Sequence, residues 1–196
     1  MILLLDKKVV IFNSGKKLFY SKGFKDTSVS DITKLAGVGV GTFYNYYPSK
    51  EKLFLEIHIQ ENNKLKKNIM ESVNFDEDPT KAIKEAISLN INGMNSNPIL
   101  KEWYNRDVFT KLEQYYREEN GKNDVDFLYN NFADLIKKWQ TEKKIRNDLD
   151  FEFILALFNS IIFIDTHKRE IGIHHFPKII DYLAEFIMKG LTDFPK

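Results

Sequence analysis

The residues best suited to bind a partner through hydrogen bonds and close contact form one short segment, Gly-Thr-Phe-Tyr-Asn-Tyr at positions 41–46. At 100° per residue in a helix, Phe43 points to one side, whereas Gly41, Tyr44 and Asn45 point to the other. Hydroxyl and amide groups donate and accept hydrogen bonds, and glycine lets a neighbour approach the backbone closely. The segment therefore predicts a surface that touches a partner closely.

The usual signatures of catalysis are missing from the sequence. It contains no cysteine, no Gly-x-Ser-x-Gly elbow, no phosphate-binding loop and no His-Glu-x-x-His motif. His167, His174 and His175 are close in sequence, but the residues between them are typical of a loop, and we interpret these histidines as surface groups. We therefore expect no enzymatic activity, no metal site and no cofactor.

Two short helices joined by a glycine turn must position the segment. Ser28 followed by Asp31 is typical of a capping box, and Gly37 stands where a helix ends in a left-handed residue. The second helix is predicted at about Gly39–Tyr46, and Pro48 then ends it. Its inner side is predicted to carry three aromatic anchors: Phe43, Tyr46 and Tyr47.

The residues from Gly37 to Leu53 (Gly-Val-Gly-Val-Gly-Thr-Phe-Tyr-Asn-Tyr-Tyr-Pro-Ser-Lys-Glu-Lys-Leu) resemble the recognition-helix signature of the TetR family of transcriptional regulators. The preceding Leu18–Val29 segment resembles the same domain, so the similarity covers roughly residues 7–57. It implies a helix-turn-helix that lays its second helix in the major groove of DNA. One departure is Gly39-Val40, where the family often has Ser-Lys.

The resemblance assigns DNA-binding roles to individual residues. Hydroxyl groups and a lysine can reach phosphate oxygens, which sets register without reading sequence. The resemblance gives this role to Thr27, Thr42, Tyr44 and Lys50, and the Tyr46 hydroxyl is a further candidate from its chemistry alone. Val40, Gly41 and Asn45 lie where the family approaches base edges. An asparagine can pair with adenine, and an apolar side chain suits a thymine methyl group.

The charge of the chain is unevenly distributed. Residues 1–60 hold nine lysines against five acids, a formal charge of +4, whereas the whole chain carries only +1. A basic head on a mildly acidic body suits a nucleic-acid-binding domain joined to a domain of another kind. The longest apolar run, 153–164, is too short to span a bilayer. We expect a cytoplasmic protein without membrane association.

Helical periodicity dominates the whole chain, and no stretch alternates with period two. The predicted fold is all-α, with a three-helix helix-turn-helix DNA-binding domain at 1–48 and a helical ligand-binding and dimerisation domain at 49–196. The remaining helices are predicted at Asp6–Lys22, Ser49–Ser72, Pro79–Asn95, Ile99–Val108, Asp124–Lys144, Asp150–Lys168 and Pro177–Leu191.

Aromatic residues are abundant in the middle helices. Most must belong to a helical core, but some could line an apolar cavity for a small molecule. The resemblance implies such an effector pocket, and the candidate residues are Trp103, Tyr104, Phe127, Tyr129 and Phe158.

The last two long helices are apolar on more than one face, which indicates burial against something besides their own core. Family resemblance favours a two-fold four-helix interface, and full burial within one chain is the alternative. The candidate interface residues are Phe153, Leu157, Phe158, Ile161, Leu183, Phe186 and Ile187.

Together these features predict a homodimeric repressor that binds a palindromic double-stranded DNA operator and leaves it when a small-molecule effector binds. The alternative is a helical small-molecule-binding protein that has lost specific DNA binding. The missing lysine near Val40 and the glycines of the second helix motivate that alternative.

Overall fold

The computed structural model describes residues 6–108, 110 and 126–193, except for the side chains of 126–130. Every regular element in these residues is helical, which confirms the predicted fold class. The helices are α1 (Lys7–Lys22), α2 (Val29–Ala36), α3 (Val40–Tyr44), α4 (Lys50–Ser72), α5 (Pro79–Ser96), α6 (Pro98–Lys101), α7 (Asp126–Thr141), α8 (Phe151–Thr166), α9 (Lys168–Ile171) and α10 (Lys178–Thr192). Two 3-10 turns occupy Glu102–Tyr104 and Ile173–His175.

The chain divides into two compact units. Unit 1 consists of residues from 1–65 and 92–124, and unit 2 of residues from 66–91 and 125–196. The helix-turn-helix segment lies within unit 1. Helices α4 and α5 contribute residues to both units. The functional division at residue 48 stays a prediction.

An aromatic cluster forms the centre of unit 1. Phe54 of α4 meets Phe19 and Phe24 edge-on, with ring centroids 5.0 Å apart in both pairs. Edge-to-face pairs of this kind contribute about 0.5–1.5 kcal/mol beyond the burial of their area. Ile32 of α2 and Phe43 of α3 complete this core. The helix-turn-helix therefore depends on α1 and α4 for its fold.

Unit 2 has a separate core between α8 and α10. Ile161 of α8 packs against Ile180 and Ala184 of α10, and all three side chains are buried. Lys84 of α5 forms an ion pair with Glu185 of α10 at 2.8 Å. These contacts fix α8 against α10 and decide which faces of the two helices remain exposed.

The predicted helix at Ile99–Val108 is interrupted in its middle, and helical backbone resumes at residues 106–108. Helix α6 ends at Lys101, the chain continues as the 3-10 turn, and Asn105 is extended, with φ −86° and ψ 106°. The Asn105 side chain donates to Glu102 at 3.2 Å. Local side-chain bonding of this kind competes with the helical series.

No helix in the described ranges combines the length and apolarity needed to cross a membrane. Among the same residues, no group of three or more His, Cys, Asp or Glu side chains is arranged to hold a metal ion.

Candidate nucleic-acid interface and apolar face

Helix α2 is capped at both ends as the sequence predicts. The Asp31 backbone N–H donates to the Ser28 hydroxyl at 3.1 Å, and the Ser28 N–H donates to the Asp31 carboxylate at 3.0 Å. Bonding from the Ser28 hydroxyl, followed by its backbone N–H, lowers the pKa of the Asp31 carboxyl. Gly37 ends the helix in the left-handed region, with φ +67°. Helix α2 is therefore a rigid support for the turn that follows.

Helix α3 is held from behind and carries no side-chain cap. It has five residues, and its N-cap is Gly39. The buried side chains of Phe43 and Tyr47 anchor it to the unit 1 core. Burial, and then the nearby Glu56 carboxylate, raises the pKa of the Tyr47 hydroxyl.

Tyr46 was predicted as a third anchor, and that prediction is wrong. Its side chain is exposed. Helix α3 ends at Tyr44, so the helical spacing that would turn Tyr46 inward no longer applies. The Tyr46 side chain is therefore accessible to a partner, as the Tyr44 side chain is.

The outer face of α3 presents most of the predicted DNA-binding residues. Val40 is 47% exposed and Tyr44 is 54% exposed. Gly41 and Asn45 are exposed and Thr42 is half-buried. A methyl group built on Gly41 would meet no heavy atom of the described chain within 4 Å, beyond its neighbours and its own helix. Internal packing therefore does not require glycine at this position, and the open space faces outward.

Thr27 and Lys50 were predicted to contact phosphates, but the structure uses both side chains internally. Thr27 is 1% exposed, and its hydroxyl donates to the Gly23 carbonyl at 2.8 Å. The Lys50 ammonium donates to the carbonyls of Phe24 and Thr27, both at 2.8 Å. Both residues support the loop between α1 and α2. The sequence did not reveal the role of Lys50 because its contacts cross between distant elements.

A second exposed surface, the α8–α10 face, is apolar. Its members are exposed aromatic and aliphatic side chains of those two helices: Phe153, Ile162, Phe163, Tyr182 and Phe186. Phe163 is 63% exposed and Phe186 is 59% exposed. A surface cleft of about 420 Å³ adjoins this face and is lined in part by Tyr182, Leu183 and Phe186.

The predicted interface residues divide between this face and the core. Phe153 and Phe186 lie on the face, and four are half-buried: Leu157, Phe158, Leu183 and Ile187. Ile161 is 2% exposed because it packs against α10, so its assignment to an exposed interface is wrong. The exposed Ile162, Phe163 and Tyr182 of this face were not among the predicted residues. The broad apolar character of the two helices signalled exposure but did not distinguish the outer residues.

The predicted effector residues fall in different parts of the chain. Trp103 belongs to unit 1 and stacks on His58, with ring centroids 5.1 Å apart; Tyr104 follows it in the 3-10 turn. Phe158 belongs to unit 2 and meets Phe132 edge-on at 5.8 Å. The side chains of Phe127 and Tyr129 lie outside the described residues. The effector pocket stays a prediction.

Comparison with known proteins agrees with this geometry. Residues 11–57 match the family described as bacterial regulatory proteins, tetR family. The chain is 26% identical to the helix-turn-helix transcriptional regulator YhgD of Bacillus subtilis over 192 residues, covering 96% of this chain and 98% of the relative. These matches span the recognition segment and, for YhgD, nearly the whole chain.

Two solved structures share the fold at lower identity. FadR of Thermus thermophilus, a TetR-family repressor solved with lauroyl-CoA, superposes with a TM-score of 0.62 at 20% identity, covering 93% of this chain and 91% of FadR. RolR, solved with resorcinol, gives a TM-score of 0.68 at 15% identity, covering 94% and 87%. The matched segment, the similarity to YhgD and the exposed α3 surface identify residues 11–57 as a DNA-binding domain of the TetR family of transcriptional regulators.

Proposed function

We propose that this regulator is a homodimeric repressor that binds a palindromic operator through α3 and leaves it when a small molecule binds. The main observation that supports this proposal is the exposed outer face of α3. Tyr44 and Asn45 are exposed and Thr42 is half-buried, whereas the anchors Phe43 and Tyr47 are buried. A helix presented in this way fits the major groove of DNA.

The groups on α3 and in the two residues that follow it each have a role in this proposal. The Tyr44, Tyr46 and Thr42 hydroxyls donate to phosphate oxygens and fix the register of the helix. Asn45 and Val40 meet base edges, where an amide pairs with adenine and a branched apolar group contacts a thymine methyl. Gly41 leaves room for the backbone to approach the bases.

Dimerisation follows from the α8–α10 face. Exposed aromatic side chains on two adjacent helices form an apolar surface of the kind that marks a protein–protein contact. A second copy would cover it with an identical surface, as two-fold symmetry requires. Two α3 helices could then enter successive major grooves about 34–36 Å apart on a palindromic site.

The effector is proposed from the liganded relatives and the aromatic residues. FadR was solved with lauroyl-CoA and RolR with resorcinol, so an acyl chain and an aromatic ring are both reasonable probes. The aromatic residues predicted from the sequence remain the candidates for contact with either probe. A ligand can cause release of DNA only to the extent that it binds more tightly to the conformation with low DNA affinity than to the conformation with high DNA affinity.

The alternative is a helical small-molecule-binding protein without specific DNA binding, and one observation favours it. Residues 37–49 carry no charged side chain, so this segment supplies none of the lysine or arginine contacts that dominate DNA affinity.

Fluorescence anisotropy with DNA from the region upstream of the gene separates the two functions. The proposal expects binding at about 0.15 M salt that is at least about 10³-fold tighter than to a scrambled duplex. Equal affinity for both duplexes would favour the alternative. Adding lauroyl-CoA or resorcinol to the complex tests release by each chemical class, and in vitro transcription tests repression.

A further inference from the structure

The loop between α1 and α2, residues 23–28, directly precedes the helix-turn-helix. Most of its backbone N–H and C=O groups form hydrogen bonds within unit 1. The Gly23 N–H donates to the Phe19 carbonyl at 3.0 Å, which closes α1. The Gly23 carbonyl accepts from the Thr27 hydroxyl at 2.8 Å. Ser28 then begins the capping box of α2. The conformation of this loop therefore determines where α2 starts.

Two charged side chains from distant parts of the chain hold Phe24 in the middle of the loop. The Lys50 ammonium donates to the Phe24 carbonyl at 2.8 Å and lies 4.2 Å from the centre of the Phe24 ring. On the other side, the Phe24 N–H donates to the Glu102 carboxylate at 3.0 Å. Hydrogen bonds to ionised groups are stronger than those between neutral groups.

Glu102 is itself fixed at its second oxygen and fits closely against the loop. Its Oε2 accepts from the Asn105 side chain at 3.2 Å. A methyl group built on Gly23 would lie 2.8 Å from Oε1, and Gly23 has φ +81°, a conformation that other residues rarely adopt. The sequence therefore places glycine where the carboxylate must come close to the backbone.

We propose that Glu102 is a positioning residue for DNA binding, which acts on α2 and α3 through the Phe24 N–H. The inference rests on the DNA binding of the proposed function. Glu102 acts as an acceptor for the loop and makes no contact with DNA in this proposal. If the hydrogen bond between Glu102 and the Phe24 N–H is lost, the loop samples other conformations. The apparent affinity for DNA then falls in proportion to the fraction of molecules that keep the conformation able to bind DNA.

Charge alone predicts the opposite result. Removing a carboxylate that lies against Phe24 of the basic head reduces repulsion from phosphates, so simple electrostatics expects tighter binding. A positioning role expects weaker binding. The sign of the change therefore separates the two explanations.

The test compares Glu102→Ala with Glu102→Gln and with Glu71→Ala, which removes an exposed carboxylate of α4 outside the loop. Glutamine retains an oxygen that can accept from Phe24, and the Asn105 amide can turn to accept from the new NH2 group. We expect Glu102→Ala to weaken operator binding about tenfold, the scale of one lost hydrogen bond of this kind. Glu102→Gln should bind within about twofold of the wild type, and Glu71→Ala should not weaken binding.

Amide hydrogen exchange of Phe24, followed by NMR without DNA, tests the same bond independently of the proposed function. Glu102→Ala should exchange at least about tenfold faster at Phe24, and Glu102→Gln should retain protection. Unchanged or tighter operator binding by Glu102→Ala would overturn the proposal, as would unchanged exchange, or a glutamine variant as defective as the alanine variant. If the wild type binds no operator, the proposed function fails, and the exchange result still decides whether Glu102 holds the loop.

Discussion

The α3 surface and the α8–α10 face both expose large side chains, but they differ in what lies between those side chains. On α3, exposed Val40 and Tyr44 alternate with glycine, hydroxyl and amide groups. On the α8–α10 face, Phe163 and Phe186 are accompanied by further apolar side chains. The first surface offers hydrogen bonds and close backbone approach, and the second offers mainly area to be removed from water.

This difference indicates two partners of different chemistry. A surface rich in donors loses little by contacting a polar, hydrated partner such as DNA, because each group finds a new hydrogen bond. An apolar surface contributes binding free energy only when an apolar partner covers it, at about 25 cal/mol per Å² buried. We therefore assign DNA to the first surface and a second copy of the chain to the other.

The largest expected effect is loss of the dimer in Phe186→Asp. The side chain is exposed, so the aspartate should leave the fold intact while placing a charge in the proposed interface. Sedimentation velocity should show monomers, and affinity for a palindromic operator should fall about 100-fold or more, because the two heads no longer bind together. Leu89→Asp, an exposed apolar residue of α5, is the matched control and should remain dimeric. Dimers in Phe186→Asp would place the interface elsewhere.

Tyr44→Phe should have the next largest effect. It removes one hydroxyl and retains the ring, which packs edge-on against Phe43 at 5.4 Å. We expect operator affinity to fall about 3- to 10-fold through one lost phosphate contact. The slope of log affinity against log salt should not change, because no charge is removed. Tyr20→Phe, an exposed tyrosine of α1, is the control; equal losses in both variants would contradict the assignment of Tyr44.

Gly41→Ala should separate stability from binding. The added methyl group meets nothing in the described chain, and helix propensity favours alanine by about 0.5–1 kcal/mol. Denaturant unfolding should therefore show a variant as stable as the wild type or more stable, with weaker operator binding. Gly37→Ala is the contrast, because the left-handed φ of +67° makes alanine destabilising by about 1 kcal/mol. Full DNA affinity in Gly41→Ala would show that the backbone does not approach the bases at this position.

Local rules account for what could be predicted from the sequence. The Ser28–Asp31 capping box and the left-handed Gly37 depend on residues only a few positions apart, and the structure confirms both. The bounds of α1 and α4 were predicted to within one residue for the same reason. The periodicity of apolar residues was sufficient to give the all-helical fold class.

Contacts between distant segments account for what could not be predicted. Lys50 and Glu102 meet Phe24 across 26 and 78 residues of sequence, so neither role has a local signature. Ile161 and Phe163 are both apolar members of α8, but packing against other helices decides that the first is buried and the second exposed.

One titration tests the separation of the two surfaces most directly. Wild type, Tyr44→Phe and Phe186→Asp are each titrated against a footprinted palindromic operator and against a duplex that contains one half-site. We expect Tyr44→Phe to weaken binding to both duplexes, and Phe186→Asp to weaken binding to the palindrome while it retains wild-type affinity for the half-site. If Phe186→Asp weakened half-site binding as much as palindrome binding, or Tyr44→Phe weakened neither, the two surfaces would not have the separate functions assigned to them.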